Sequence, residues 1–518
     1  MPLTMPAGTR KAVLAVLTLF LLFTACFNVF YRLGDGIIAS WDEARHGVSA
    51  LEMIESGDYL VNTYESEPDY YNAKPPLAFY HAVAGIKLFG KTQFGLRFFS
   101  AVAFLVTAAA VGLSALRYRG PAFSLLAVSI FVTSIRLLTR HGARTGDADA
   151  VFVMLYALSL FCVSAPGKGF HRFLIAAFFA GLAFLCKSFH AAHLGVSLIL
   201  LFLAEHGFGA RFFGETGEDS APSPNPKGTL RTGGGESLFS PKPVGALRTT
   251  ASGLVLRGAA CLAAAAFPVG LWAYLRMGYD GTTFFEHMLV NDVVQRLSTV
   301  MEGHNGGVYY YFIKILQNFP VWLGGLALLI GVFLRSARPL AARDLPGVFR
   351  VRGAVSRRLL LITAVPVIML TCSTSKLDWY LYPVFPFLSI LLAEAGICFA
   401  GRVLRLRPTL RPLVMLLPVL CFAAQEAVVL RNAVRLADER DRSQEIIRET
   451  AARNPETPAY LFVEAKKGVW RQSLVMSSKL YARKIHLLRG GKEAYDAFSG
   501  GEKVLIYDGV QPPAPPGM

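Results

Sequence analysis

The stretch "SWDEARHGVSALEMIESGD" places several side chains that can exchange protons or bind anions on one short segment. Ser40 and Glu43 have the spacing of a capping box, and Gly57 is a typical stop, so a helix is expected over 41–56. Asp42 in its first turn would stay ionised there and could act as a weak general base. The alternative is that Asp42 only complements the helix dipole, as first-turn acids commonly do.

Other polar residues capable of proton transfer or anion binding lie at the ends of apolar segments. They are Arg45, His46, Lys74, Asp147, Asp149, Arg296, His304, Tyr309, Lys376 and Tyr380. Each has an ordinary explanation by itself: acids cap helices, lysines reach lipid headgroups, and tyrosines suit the membrane interface. Their recurrence in four separate loops is what indicates a functional site.

A membrane-embedded helical bundle must position these loops. The chain is 53% hydrophobic with a mean hydropathy of +0.44, too apolar for an ordinary soluble protein. At ~1.5 Å rise per residue, roughly 20 residues cross a bilayer core. About eleven segments of this kind lie near 12–32, 96–116, 121–138, 149–165, 171–186, 188–205, 253–275, 319–335, 358–374, 380–400 and 411–430.

The distribution of basic residues predicts the orientation of the bundle. If the first segment is an uncleaved anchor that runs outward, the arginine-rich loops fall inside and the four polar clusters fall outside. The segment 75–90 is marginal as a span and would invert everything after it, so we expect an interfacial helix on the outer surface. The net charge of +17 is accounted for by inner loops and anionic lipid, without a nucleic-acid partner.

Two regions break the membrane pattern. Residues 206–252 are rich in Gly, Pro and Ser and predict a flexible inner loop. Residues 431–518 contain a charged helical run followed by three short strand patterns, which predicts a small α/β domain on the outer side. The expected membrane domain is therefore 1–430, with outer loops at 33–93 and 276–318.

Taken together, the motifs resemble a known family. They are "WDEARHGVSALEMIESGDYLVNTY", "KPPLAFYHAVAGIKLFG", "FGLRFFSAV", "ARTGDADAVF", "GLAFLCKS", "VVQRL", "GVYYYF" and "SKLDWYLYPVFP". The chain resembles the bacterial polytopic glycosyltransferases of the protein-mannosyltransferase and lipid A aminoarabinose-transferase type over most of residues 10–400. The resemblance implies a mainly α membrane protein with the GT-C fold and about 11–13 transmembrane helices.

The same resemblance implies an activity. A sugar would pass from a polyprenyl-phosphate donor to a lipid A-type lipid, a protein or a glycan at the outer face of the bacterial inner membrane. The catalytic face and the C-terminal domain would then be periplasmic. A transporter or flippase is an alternative, since Lys187 or Glu394 within apolar segments could mark a substrate path, and a ligase of lipid-linked polysaccharide is another.

Site roles follow from the resemblance residue by residue. Asp42 is implied as the base or acceptor-orienting carboxylate, with Glu43 as its matching neighbour. The second acid lies in "GDAD", where Asp149 is preferred and Asp147 stays open. The donor phosphate and lipid entrance would be held by a set of cations and tyrosines, namely Lys74, Arg296, Lys376 and Tyr380, with Arg45 and Tyr309 as further candidates.

The chain departs from the family at positions that help hold a metal. Ala73 stands where an acid is common, and Val293 stands where a His is common. A divalent metal at that place is therefore not expected. A different metal site could draw on His46 or His304, and also on Glu67 or His287. Asp378 replaces the usual Pro of the late loop, which affects the expected placement of Tyr380.

Overall fold

The computed structural model describes residues 6–39, 41–165, 169–206, 251–295, 306–336, 353–453, 459–462, 472–481, 485–488 and 504–506. Its helices are α1 Ala7–Phe30, α2 Asp42–Ser56, α3 Leu77–Phe89, α4 Gln93–Arg119, α5 Pro121–Val132, α6 Ile135–Thr139, α7 Asp149–Ser164, α8 His171–Lys187, α9 Ala192–His206, α10 Ala251–Asp280, α11 Thr283–Leu289, α12 Tyr310–Asn318, α13 Pro320–Ser336, α14 Ala354–Cys372, α15 Phe385–Leu406, α16 Arg411–Asp438, α17 Arg442–Arg453 and α18 Gln472–Tyr481.

Apolar helices long enough to cross a bilayer make the chain a multi-pass membrane protein. Among the described residues, seven stretches qualify by length and composition: Gly8–Phe30, Gln93–Arg119, His171–His206, Ala251–Asp280, Ala354–Cys372, Asp378–Leu406 and Pro408–Asp438. An eighth is formed if α12 and α13, which meet at a 96° bend, are one broken span. The eleven apolar segments predicted from the sequence fall on helices, although the segment 121–138 is divided between α5 and α6.

The stretch His171–His206 is two antiparallel helices, α8 and α9, and not one long span. Ser188 has a φ of 45° and ends α8, and a short 3₁₀ turn leads into α9. The His206 ring at the end of α9 then lies 5.0 Å from the ring of Phe173 in the first turn of α8. A straight helix of 36 residues would hold its ends ~50 Å apart. The sequence prediction of two segments here is therefore correct.

Helix α2 follows α1 and lies across one end of the bundle. It begins at Asp42, and Gly57 ends it in the left-handed region with a φ of 74°, as predicted. Ser40 lies outside the described residues, and Glu43 reaches back to accept a hydrogen bond from the Ala39 backbone N–H at 2.7 Å. Residues 46–53 of this helix are all buried.

The helix predicted to be interfacial, α3, has 13 residues and would extend only ~20 Å. This length is too short for a span, in agreement with the sequence prediction. Its Phe79 joins Leu51 of α2, Leu96 of α4 and Phe152 of α7 in one buried core. That core is what holds α2 against the bundle.

Short strands occur in two places. β1 Thr63–Tyr64 and β2 Glu67–Pro68 form an antiparallel hairpin after α2. β3 Ala459–Phe462, β4 Ile485–Leu488 and β5 Val504–Ile506 form a parallel sheet in the order β4-β3-β5. The three C-terminal strands coincide with the three predicted strand patterns. That residues 431–518 form a separate domain stays a prediction.

Candidate active site

Acidic and basic side chains from three separate loops meet beside the N-terminus of α2. His141 lies between two carboxylates, with its Nδ1 3.6 Å from Asp42 Oδ2 and 3.4 Å from Asp147 Oδ2. The His141 ring stacks on Trp379 with ring centroids 3.9 Å apart. The first predicted loop, the "GDAD" loop and the late loop thus form one site, which we call the acid cluster: Asp42, His141, Asp147 and, as described next, Asp149.

Asp149 is the second predicted acid, and it is paired with a buried lysine. It begins α7, and its Oδ1 accepts a hydrogen bond from Lys187 Nζ at 2.6 Å. Both side chains are almost fully buried. Tyr380 lies on the other side of this pair, with Lys187 Nζ 5.7 Å from the centre of its ring. The structure therefore brings Asp149 and Tyr380 to the same place, as the sequence predicted.

Glu43, the neighbour of Asp42, is bound entirely by protein donors. Its Oε1 accepts hydrogen bonds from Arg97 Nε at 2.6 Å and from the Gly146 N–H at 2.8 Å. Its Oε2 accepts from Ala39 N–H at 2.7 Å and from Arg97 Nη2 at 3.1 Å. The Glu43 side chain has no exposed surface. This arrangement ties α2 to α4 and to the "GDAD" loop, which is a structural role; the catalytic assignment of Glu43 stays a prediction.

The charges of the acid cluster support one another. Burial by itself would lower the pKa of His141, but the carboxylates of Asp147 and Asp42 outweigh that effect and raise it to about 9. Burial would raise the pKa of Asp147, yet the His141 charge lowers it to about 2. Burial lowers the pKa of His46, which keeps that ring neutral beside the cluster. Asp42 alone of the two carboxylates facing His141 is open to solvent, with 37% of its side chain exposed against 0% for Asp147.

Three residues around the acid cluster have left-handed backbone conformations although none is glycine. They are Trp41 with a φ of 68°, His141 with 50° and Ser188 with 45°. Such conformations are costly for residues with a Cβ and persist where surrounding contacts enforce them. Each lies next to or within the polar residues of the site: before Asp42, in the cluster, and after Lys187.

Among the described residues, one group of acids and histidines could hold a metal ion, namely Asp42, His141 and Asp147, whose ligand atoms lie within 4.8 Å of one another. Both Asp147 oxygens and His141 Nδ1 are buried with no hydrogen-bond partner of ordinary geometry. Carboxylate oxygens with unused lone pairs fit a divalent cation, and His141 would join them as a ligand once it loses its proton. The place expected from the family does not fit, because Ala73 is apolar and buried and the neighbouring His is replaced by Val293.

The residues predicted to bind the donor phosphate are distributed unevenly. Lys74 lies close enough to His46 for its positive charge to add to the effect of burial, which lowers the pKa of that ring. Lys376 is buried and donates to the Thr371 carbonyl oxygen at 2.9 Å. Arg45 makes two hydrogen bonds to Asp69, at 2.7 and 2.6 Å, within the first loop.

Three other candidates are not joined to the site by the described contacts. Tyr309 is 75% exposed in the turn before α12. Arg296 and His304 lie outside the described residues. Of the weaker metal candidates, His287 stacks on Tyr70, with ring centroids 5.1 Å apart. Glu67 lies in β2 and is exposed.

Sequence reasoning missed two residues of the site. His141 is in the "TRHGARTGDADAVF" stretch but was not singled out. Lys187 was considered only as a mark of a transport path, yet a lysine within an apolar segment is itself a signal for a buried acidic partner. Glu394, the other charge considered for transport, accepts hydrogen bonds from Tyr118 at 2.9 Å and from Ser356 at 2.7 Å.

Comparison with known proteins finds similar sequences and a similar fold. The family model described as "Dolichyl-phosphate-mannose-protein mannosyltransferase" matches residues 73–216. An undecaprenyl phosphate-alpha-4-amino-4-deoxy-L-arabinose arabinosyl transferase of Erwinia tasmaniensis is 23% identical over 388 residues, 74% of this chain and 60% of that protein. An uncharacterized protein of Aquifex aeolicus is 28% identical over 152 residues, which cover 29% of either chain. The chain thus spans less than two thirds of the length of these two relatives.

A solved structure gives the fold. The crystal structure of ArnT from Cupriavidus metallidurans bound to undecaprenyl phosphate matches with a TM-score of 0.63 and 16% identity, over 97% of this chain and 90% of that one. The fold predicted from the sequence motifs is thereby confirmed, and the resemblance to the mannosyltransferase and aminoarabinose-transferase type is confirmed with it.

Proposed function

We propose that this chain, which has the GT-C fold of ArnT-like membrane glycosyltransferases, transfers a sugar from a polyprenyl-phosphate donor to a hydroxyl or phosphate acceptor. The observation that carries the proposal is the acid cluster. Loops far apart in sequence bring one exposed carboxylate, two buried carboxylates and a buried lysine to one end of the bundle, as general base chemistry beside an anionic leaving group requires. The whole-protein activity is proposed for this chain from that geometry together with its similarity to the relatives.

Asp42 is the group we assign to the acceptor. It is the exposed acid of the cluster, whereas Asp147 is buried and Asp149 is bound to Lys187. An acceptor oxygen that approaches α2 would give its proton to Asp42, or be steered by it, as the oxygen attacks the anomeric carbon. His141 lies beside Asp42, with its Nδ1 3.6 Å from Asp42 Oδ2, and would help to orient the carboxylate toward the acceptor.

The cations of the site are assigned to the leaving group of the reaction, the lipid phosphate. As the bond between the anomeric carbon and the phosphate oxygen breaks, the lipid phosphate takes up the electron pair and gains negative charge. Lys74 is assigned to this phosphate, together with Arg296 and Lys376 as the resemblance implies. Cations placed there stabilise the transition state more than the ground state, and no nucleotide is needed because the donor bond is already activated.

Asp42, His141 and Asp147 would hold a divalent cation if one binds. Such an ion would supply a fixed positive charge next to the acceptor or the phosphate. The protein's own residues still perform the positioning: Asp147 and His141 fix the cluster, and Asp42 keeps one side open to solvent.

We propose the class of the acceptor and the membrane in which the protein lies. A lipid A-type lipid, a glycan or a protein would supply the accepting oxygen. The bacterial inner membrane, with the acid cluster on the periplasmic side, agrees with the distribution of arginines between loops. This placement also gives access to a lipid-linked donor from the outer leaflet.

Transfer in detergent tests the proposal. Purified protein is incubated with radiolabelled undecaprenyl-phosphate-linked 4-amino-4-deoxy-L-arabinose, or with polyprenyl-phosphate hexoses, and with lipid A, peptide or glycan acceptors. We expect labelled product, and we expect Asp42→Asn to lower kcat by about 10²–10⁴-fold, the usual contribution of a general base. Glu55→Gln, an exposed acid on the same helix, is the matched control and should keep the wild-type rate.

Two results would contradict the proposal. Absence of product with every donor would reject glycosyl transfer, and full activity of Asp42→Asn would reject the role of Asp42. Because detergent micelles have no second compartment, product formation also separates an enzyme from a transporter or flippase.

A further inference from the structure

The side chain of the residue that precedes α2 does not restrain the start of the helix. Trp41, which precedes Asp42, makes no side-chain capping hydrogen bond, is in the left-handed region and is 42% exposed. An isolated helix of 15 residues is only marginally stable in water. The position of Asp42 must therefore be set by contacts from outside the helix. Glu43 supplies one such contact through Arg97.

A second set of contacts comes from the C-terminal part of the chain. The side chain of Gln444 in α17 pairs with both backbone groups of Ile38, four residues before Asp42. Its Oε1 accepts from the Ile38 N–H at 2.9 Å, and its Nε2 donates to the Ile38 carbonyl oxygen at 2.9 Å. Gln444 is buried, with 7% exposed. Because both hydrogen bonds join the same two residues, they restrict both the position and the rotation of the backbone that leads into α2.

Helix α18 contacts α2 along its length. Met476 lies so close to Gly47 that a Cβ there would be 2.6 Å from the Met476 Cε. One helical turn further, Lys479 Nζ lies 2.8 Å from Glu52 Oε1, and Glu52 is buried. The middle and the second half of α2 are thus also held by α18. We call α17 and α18 together the C-terminal clamp.

We propose that the C-terminal clamp positions the catalytic helix, with Gln444 as a positioning residue that acts on the reaction through Asp42. The expected effect on the reaction rate rests on the proposed glycosyl transfer. The expected effect on the position of α2 does not. Gln444 makes no described contact with the acid cluster. Its effect is transmitted through Ile38 and the short segment that leads to Asp42.

The expected effect is on the rate and not on donor binding. A reacting group displaced by ~1 Å can lose about 10²-fold in rate, whereas the cations assigned to the donor phosphate lie on other segments. Gln444→Leu removes both hydrogen bonds at nearly constant volume. We expect kcat to fall about 10–100-fold, while KM for the donor and the Kd for undecaprenyl phosphate change less than about twofold.

The first test measures how strongly the segment that leads into α2 is held. Hydrogen–deuterium exchange of the purified full chain should be faster over 36–48 in Gln444→Leu than in wild type, with unchanged exchange in α7. Arg442→Gln is the matched control, because Arg442 lies on the same helix but is 63% exposed and pairs with Glu445 and Glu449. Equal exchange in Gln444→Leu and Arg442→Gln would overturn the proposal, even if the wild type shows no transfer with any donor.

The second test measures the reaction rate. The kcat of Gln444→Leu is compared in the wild-type and Asp42→Glu backgrounds, and we expect a smaller effect of Gln444→Leu in the second because the carboxylate is already displaced. Equal losses in both backgrounds, or parallel losses of kcat and of undecaprenyl phosphate binding, would show a general structural effect and would overturn the proposal. If Gln444→Leu fails to fold, Lys479→Gln, with a partly exposed side chain, provides the same comparison with an expected loss in kcat of a few fold.

Discussion

Asp42 and Glu43 are adjacent on α2 but should respond to substitution in opposite ways. Each oxygen of the Glu43 carboxylate accepts two hydrogen bonds, so the amide of Glu43→Gln would turn its NH₂ toward two donors in either orientation. Arg97 would keep its charge in a buried place, with 5% exposed, without a counter-charge. Removing one partner of a buried pair costs about 3–5 kcal/mol.

This loss can be converted into a melting temperature. With an unfolding entropy of about 2.1 cal/mol/K per residue and 518 residues, Glu43→Gln should melt about 3–5 °C lower if the chain unfolds as one unit. Asp42→Asn should melt within about 1 °C of wild type, because Asp42 is partly exposed, and it should lose transfer. Intrinsic fluorescence during heating in detergent measures the first effect, and the transfer assay measures the second.

The result that would refute this reasoning is a Glu43→Gln protein that melts like wild type but no longer transfers sugar. Glu43 would then act on the substrate, and the hydrogen bonds to Arg97 and Gly146 would not be its main role. Glu55→Gln should be neutral in both measurements and controls for loss of an acid on α2.

Three further predictions concern the acid cluster. The pKa of His141 is raised from 6.5 to about 9. In chelator-treated protein, the stabilisation by the His141 charge should therefore be complete below about pH 6.5 and lost as the pH rises through about 9. The melting temperature should fall over that pH range, and it should depend less on pH in His141→Gln. Lys187→Met leaves Asp149 buried without a partner and should cost about 3–5 kcal/mol, whereas adding Asp149→Leu should restore the melting temperature without restoring transfer; a double variant that stays destabilised would contradict the pairing. Asp147→Asn should weaken Zn²⁺ binding at least about tenfold in calorimetry, with Asp58→Asn as control, and equal affinities would exclude Asp147 as a ligand.

The bundle could be predicted from the sequence because its elements are long and chemically uniform. The apolar runs of about 20 residues appear as helices, although the run at 121–138 is divided between α5 and α6. The weaker run at 75–90 is a short helix, α3, as expected. The separation of α8 from α9 was also visible as two apolar runs. Hydropathy averages over many residues, so single exceptions do not change such predictions.

The site could be predicted only in part, because it depends on which side chains meet in space. Asp42, Asp149 and Tyr380 were found through motif order, and the structure places them together. Glu43 has the same charge and nearly the same position as Asp42, yet its partner Arg97 lies 54 residues away, and no local pattern reveals that pair. Lys187 was seen as an anomaly in an apolar run, but its partner could be identified only once α7 and α8 were packed together.

The three residues near the acid cluster that have left-handed backbone conformations lower the stability of the folded protein at the site of the proposed reaction. Trp41, His141 and Ser188 each carry a conformational cost on the order of 1–3 kcal/mol that a glycine at the same position would largely avoid. Evolution toward heat resistance alone would favour glycine at these places, whereas evolution toward rate would keep the backbone geometry around the site and, at His141, the ring that belongs to the acid cluster. Relatives adapted to hot habitats are therefore expected to gain stability elsewhere in the bundle and to keep these three positions strained.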